Sequence, residues 1–209
     1  MALFNYLFVS FQCTTLYGLG FIGGAGNTLL YVLGGSSLKT FYTVDRNNSL
    51  HEGKIIELNI RDDLSPATLK NHAYTLFPRG LSAHGENYFI KATSRANNDS
   101  VAIELFFEYV RQAHFQNVIS RFQCLFACDS IEEAKKFKSK YGNESSRIFE
   151  VQSVNNHFKA NMRILDNNQS SLFYSYLAHQ YWSGFKSDLP ELIWEVLLEL
   201  PVTIGKQIE

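Results

Sequence analysis

Two short segments carry side chains suited to handling a charged substrate. In "SRFQCLFACDSIEEAKKFKSKYG", residues 120–142, Ser120, Arg121 and Gln123 stand at the head of an apolar, strand-like run, and a helix start follows at once. An arginine offers a planar fork of donors to paired oxygens, while a hydroxyl or amide beside it can orient a polar ligand. In "LIWEVLLELPVTIGK", residues 192–206, strand alternation puts Ile193, Glu195, Leu197 and Glu199 on one face and Trp194, Val196, Leu198 and Leu200 on the other. Glu195 therefore has apolar neighbours at two-residue spacing. Such a carboxylate can face a developing positive charge; a solvated glutamate on an exposed strand face is the plainer account of the same residue. Glu199 is the second choice for the role.

Other candidates are weaker. Ser82, His84 and Gly85 in "GLSAHGENYF" form a polar loop whose histidine either meets a ligand or is simply solvated. Tyr181 and Trp182 close a helix and read as core packing. Cys124 and Cys128 would lie about 13 Å apart along a strand, too far to share a zinc ion. "GFIGGAG" lacks the Lys-Ser/Thr of a phosphate-binding loop and its strand-to-helix setting.

The elements that must position these residues are readable from residue 39 onward. "KTFYTV" and "GKIIELNI" have strand character, and "SPATLKNHAYTLF" is a helix with Ser65 as cap and Pro66 in its first position. "SVAIELFFEYVRQAHF" is helical, with Leu105, Phe106, Tyr109 and Val110 on one face and Glu104, Glu108 and Arg111 on another. Ser130 and Glu133 have capping-box spacing, and Ala134 and Phe137 turn inward behind them. "RIFEVQSV" and "ANMRIL" are strands, "SSLFYSYLAHQYWSG" is a helix stopped by Gly184, and "LIWEVLLELPVTI" is one last strand. Helices scattered among strands without a βαβ rhythm indicate an α+β fold.

A chain of 209 residues with 45% hydrophobic and 19% charged residues can bury a real core, and a net charge of -1 excludes a global basic footprint for nucleic acid. Three cysteines without framework spacing suit a reducing compartment, so the sequence reads as cytoplasmic. Residues 1–38 differ in texture and are read as an extension apart from the domain at 39–209. No charge precedes Lys39, yet Asn5, Gln12, Thr14, Thr15 and several glycines interrupt the apolar run. A packed or partner-binding arm, a membrane-associated segment and a mis-set start remain open for it, with no stable membrane insertion expected.

Several segments together resemble the ADP-ribosyltransferase superfamily. "LFACDSIEEAKKF" is similar to its strand ending in aromatic-Phe-Ala with a helix behind it, and "LIWEVLLELPVTIGK" to its late strand with a glutamate before apolar residues and a proline. "FYTVDRNNSLHEGKIIEL", "FPRGLSAHGENYF", "SRFQCLFA", "YWSG" and "WEVLLELPVTIG" come in an order that resembles the bacterial DUF2441 group of transferase-like proteins, over about residues 40–208. The resemblance implies a split pair of small mixed β-sheets with flanking helices and NAD in the cleft between the sheets. It implies Glu195 as the catalytic carboxylate at the nicotinamide ribose, Arg121 at the NAD phosphates, and Ser120 and Gln123 beside it. Tyr42 and Arg46 on the first strand would meet the adenosine side, with Thr43 where a histidine often stands; Ser82 and His84 would add loop contacts. Cys124 stands where a serine is expected.

The implied function is NAD-dependent mono-ADP-ribosyl transfer by a toxin or antiviral-defence effector, with room for an antitoxin or other partner protein. Ile193, two residues before Glu195, replaces the polar group that suits a protein acceptor, which favours RNA or DNA as acceptor over protein. Lys135, Lys136, Lys138 and Lys140 offer a local basic patch or an ordinary solvated helix face. An NAD glycohydrolase and a noncatalytic interaction module are the alternatives on the same scaffold.

Overall fold

The computed structural model describes residues 38–92, 98–166, 170–184 and 192–209. The chain divides into Met1–Gly35 and Ser36–Glu209, and the described residues belong to the second unit. The expectations for residues 1–37 lie outside the described residues.

Among the described residues the strands form two small antiparallel sheets. One has the order β1-β4-β7-β2, from β1 (Lys39–Asp45), β4 (Arg147–Ser153), β7 (Val202–Gln207) and β2 (Ile55–Ile56). The other has the order β3-β6-β5, from β3 (Cys124–Ala127), β6 (Trp194–Glu199) and β5 (His157–Asn161). Every ladder is antiparallel, where mixed sheets are expected. The predicted last strand is two strands: Pro201 has no N–H to offer a ladder, and the chain leaves β6 there to enter the other sheet as β7. Each sheet thus receives one of the two halves as an interior strand.

The α+β composition positions these sheets between helices. Helix α4 (Ile131–Tyr141) starts as its sequence predicts, with Ser130 Oγ accepting from Glu133 N at 3.2 Å. Ala134 and Phe137 pack with Ile148, Cys128, Tyr42 and Val44 on the outer face of the first sheet. The inner face of that sheet, carrying Phe41, Phe149, Val151, Val202 and Ile204, packs on Val196, Leu198 and Ala127 of the second. Where a ligand cleft between the sheets is expected, these side chains form an apolar core. Burial of this kind is the main source of stability available to the domain.

Helices α3 (Asn98–His114) and α5 (Ser171–Trp182) cover the other face of the second sheet. Phe107, Val110, Leu177, Ala178, Tyr181 and Trp182 pack there against Leu197, Cys124 and Ala160. Trp182 Nε1 donates to the Phe107 carbonyl at 2.7 Å and pins the two helices together. The faces of α3 only partly follow expectation: Val110 is buried and Leu105 half-buried, but Glu104 and Glu108 are buried as well, whereas Phe106 and Tyr109 are exposed. Side-chain pairing decides this, because each carboxylate finds a buried partner that offsets its desolvation.

Local corrections have simple causes. The first helix, α1 (Ala67–Leu76), begins one residue later than expected, so that Pro66 itself is the cap and no Ser65 cap bond forms. "GKIIELNI" gives only the two-residue β2 and a bridge from Asn59 to Leu81. "ANMRIL" ends β5 at Asn161 and coils into a 3-10 turn, Met162–Asp166. The loop expected in "GLSAHGENYF" is a short helical turn, α2 (Ala83–Gly85), continuing as one wide π-helical stretch over Glu86–Lys91.

Candidate active site

Ser120, Arg121 and Gln123 do not extend the head of β3. Arg121–Gln123 form a single 3-10 turn before that strand, with Ser120 as its cap. Ser120 Oγ accepts from Phe122 N at 3.1 Å and donates to Glu108 Oε2 at 2.8 Å. Glu108 in turn is held by Arg111, whose Nη2 lies 2.7 Å from Oε1 and whose Nη1 also donates to the Val118 carbonyl. This cluster fixes the loop that carries the chain from α3 to the turn. The turn sends the Arg121 side chain inward, beneath α3 and α5.

Arg121 is the centre of a buried polar group. Its Nε donates to Glu104 Oε2 and its Nη2 to Glu104 Oε1, both at 2.8 Å, while Nη1 reaches the Tyr181 hydroxyl at 2.6 Å and Glu195 Oε1. The Tyr181 hydroxyl also donates to Glu195 Oε1 at 2.8 Å. Phe126 covers the guanidinium, with the ring centroid 4.7 Å from Cζ. The Arg121 and Glu195 side chains are 6% and 8% exposed.

The electrostatics follow from this packing. Burial opposes the charge of Arg121 most strongly, but the facing carboxylates of Glu104 and Glu195 outweigh it and hold the guanidinium protonated well above its usual range. Burial likewise opposes ionisation of Glu104, and Arg121 with His84 reverses that, keeping its carboxyl far below the ordinary carboxylate range. Burial raises the Tyr181 phenol well above its usual value, so its proton stays on.

Glu195 has two unlike oxygens. Oε1 accepts from both Arg121 and Tyr181. Oε2 makes no hydrogen bond among the described residues. One oxygen is therefore anchored twice and the other is left without a bond, in a side chain that is buried as a whole. His84 borders the same group, with Nε2 3.4 Å from Glu104 Oε1, near enough for charge attraction but outside hydrogen-bond geometry. Its ring stacks on Tyr88 at 4.5 Å and meets the edge of Phe126 at 4.8 Å.

A family described as "Protein of unknown function (DUF2441)" matches residues 41–209. The chain belongs to the DUF2441 family. No curated protein matches it.

The DUF2441 domain brings most of the candidate residues into one neighbourhood. Ser82 caps the turn that carries His84, its Oγ accepting from Gly85 N at 3.2 Å and its N donating to the Phe122 carbonyl at 2.8 Å. A side chain at Gly85 would run into that same carbonyl, so glycine lets the His84 turn lie directly on the Arg121 turn. Gln123 Nε2 donates to the Gly80 carbonyl at 2.8 Å and ties the two turns again. Ser82, Ser120 and Gln123 thus act on backbone and neighbouring side chains, whereas His84, Arg121 and Glu195 make the group itself.

Tyr42 and Arg46 stand elsewhere in the DUF2441 domain. Tyr42 exchanges backbone hydrogen bonds with Cys128, and Arg46 lies 5.7 Å from the centroid of Phe137 on α4. Neither bonds to Glu195, Arg121 or His84 among the described residues. Thr43, on the opposite face of β1, donates to the Phe126 carbonyl at 2.9 Å and supports the strand above the guanidinium. Glu199, the second choice for the carboxylate, lies at the far end of β6 against Arg79 and Asn156. Lys135 and Lys138 both reach Glu209, at 3.8 and 2.7 Å, which spends part of the basic run on an internal partner. No described helix is long and apolar enough to cross a membrane.

Glu104 and Tyr181 are the members that sequence reasoning missed. Glu104 has the spacing of a solvent-facing residue on an amphipathic helix, and Tyr181, beside Trp182 at the end of its helix, has the look of core packing.

Proposed function

We propose that the DUF2441 domain is an NAD-dependent mono-ADP-ribosyltransferase in which Glu195 faces the nicotinamide ribose from the helix-covered side of β6. The observation that carries the reading is the divided carboxylate: Oε1 is fixed by Arg121 and Tyr181 while Oε2 makes no hydrogen bond among the described residues. Cleavage of the nicotinamide–ribose bond develops positive charge on the ribosyl centre. A carboxylate held in place before the reaction stabilises that charge with little reorganisation. Two carboxyl groups, Glu104 and Glu195, facing one guanidinium also make the site better suited to a cation than to an anion. Arg121 is accordingly an internal anchor in this reading, not the phosphate ligand that the resemblance implies.

The acceptor is RNA or DNA in preference to protein, on the absence of a polar residue at Ile193. Nicotinamide release from NAD by the purified protein tests the chemistry. Labelled NAD added to cell lysate, followed by separate ribonuclease, deoxyribonuclease and protease treatment, tests the acceptor. Label that survives both nucleases and is lost with protease replaces nucleic acid by protein; free ADP-ribose as the product replaces transfer by glycohydrolysis.

One observation favours a second reading, a noncatalytic module: Arg121 already satisfies Nε, Nη1 and Nη2 within the protein. An arginine so engaged serves the fold whether or not the domain turns over. Absence of NAD binding by calorimetry at millimolar concentration selects this reading.

A further inference from the structure

Tyr181 is fully buried, and its ring needs no polar atom to fill its place. It packs edge-on to Phe107 at 5.6 Å, to Phe158 at 6.2 Å and to Trp182 at 4.7 Å between centroids. Phenylalanine would make the same contacts without a hydroxyl to satisfy. The hydroxyl is nonetheless committed twice: it accepts from Arg121 Nη1 and donates to the oxygen of Glu195 that Arg121 also holds. Helix α5 and the turn before β3 therefore converge on one carboxylate oxygen from separate elements.

We propose that Tyr181 is the positioning residue for Glu195, fixing the carboxylate so that Oε2, and not Oε1, is the oxygen offered to a ligand. The proposal rests on the reading of Glu195 as the residue at the ribosyl centre. The terminal torsion of a glutamate is broad and roughly two-fold. A single bond to Arg121 leaves that torsion free to swing; a second bond from the phenol closes a triangle of Arg121, Tyr181 and Glu195 and removes the swing. The phenol transfers no proton in this role. It touches neither acceptor nor cofactor and acts through Glu195 alone.

The test compares Tyr181→Phe with Trp182→Phe. The second variant also deletes a buried donor, one residue along the same helix, but that donor serves the Phe107 carbonyl. For Tyr181→Phe, kcat for nicotinamide release is expected to fall about tenfold with KM for NAD within about twofold, the signature of a group misplaced in the transition state. Trp182→Phe should lose at least as much thermal stability while its kcat stays within about twofold of wild type, because packing is all it disturbs. A crystal structure of Tyr181→Phe should show the Glu195 carboxylate turned from Arg121 or in two orientations. Unchanged kcat in Tyr181→Phe, or an equal loss in both variants, overturns the proposal. So does an undisturbed Glu195 in that crystal structure, whatever the kinetics. If the wild-type protein releases no nicotinamide, the transferase reading falls by itself, and the orientation of Glu195 in the variant alone decides the role of Tyr181.

Discussion

Arg121 meets Glu104 with two parallel hydrogen bonds of 2.8 Å, from Nε and Nη2 to the two carboxylate oxygens, inside the domain. Deleting the arginine strands two carboxyl groups in a place that water barely reaches. Arg121→Ala should therefore lower the unfolding free energy by about 3–5 kcal/mol in urea denaturation. Glu104→Gln added to that variant should cost far less than Glu104→Gln alone, because the partner is already gone. Additive losses would mean that the two residues do not act as a unit.

Acid unfolding should report on Glu104. Its carboxyl is held below the usual range in the folded state despite burial, because Arg121 and His84 favour the charged form. A depressed folded pKa adds stability that is complete above the unfolded value, about 4.3, and is lost as pH falls toward the folded one. The stability gap between wild type and Glu104→Gln should thus shrink as pH falls below about 4. A gap that widened on acidification would reverse the assignment.

Glu195→Gln keeps an oxygen that accepts from Arg121 and Tyr181, so fold and NAD binding should persist. Its turnover should fall at least about 100-fold, since the charge aimed at the transition state is gone. Near-normal nicotinamide release would remove Glu195 from the chemistry.

The thiols should be inert. Burial raises Cys124 well above its ordinary value and pushes Cys128 up to about 12. Both are free and buried. Alkylation of the native protein at pH 8 followed by mass spectrometry should leave Cys124 and Cys128 unmodified, and both should react after unfolding. Rapid native labelling of either would show that its surroundings open readily.

Much of the fold was legible where local chemistry decides it. Ser130 and Glu133 announced α4, aromatic and β-branched residues announced β1, the strand character of "RIFEVQSV" announced β4, and Gly184, with φ at 68°, marks the end of α5 as expected. The burial of Glu104 and Glu108 was not legible, because it depends on Arg121, His84 and Ser120 from other elements and not on the periodicity of α3. For the same reason Arg121 and Glu195 stood out as residue types, but their contact, and the phenol that joins them, depends on packing across 74 residues of sequence. Tyr42 and Arg46 followed only from the resemblance, and the domain puts them against α4.

The order of the strands bears on how the protein is made. β6 lies between β3 and β5, and β7 lies between β4 and β2. Both are synthesised after every other strand of their sheets. A nascent chain leaving the ribosome can pair β1 with β4, but it cannot join β3 to β5 or seat β2 until residues 194–207 have emerged. Glu195 arrives in the same stretch. The carboxylate and the sheet that holds it are thus completed in one late step, and up to that moment the nascent domain carries unpaired strand edges that need shielding from other chains.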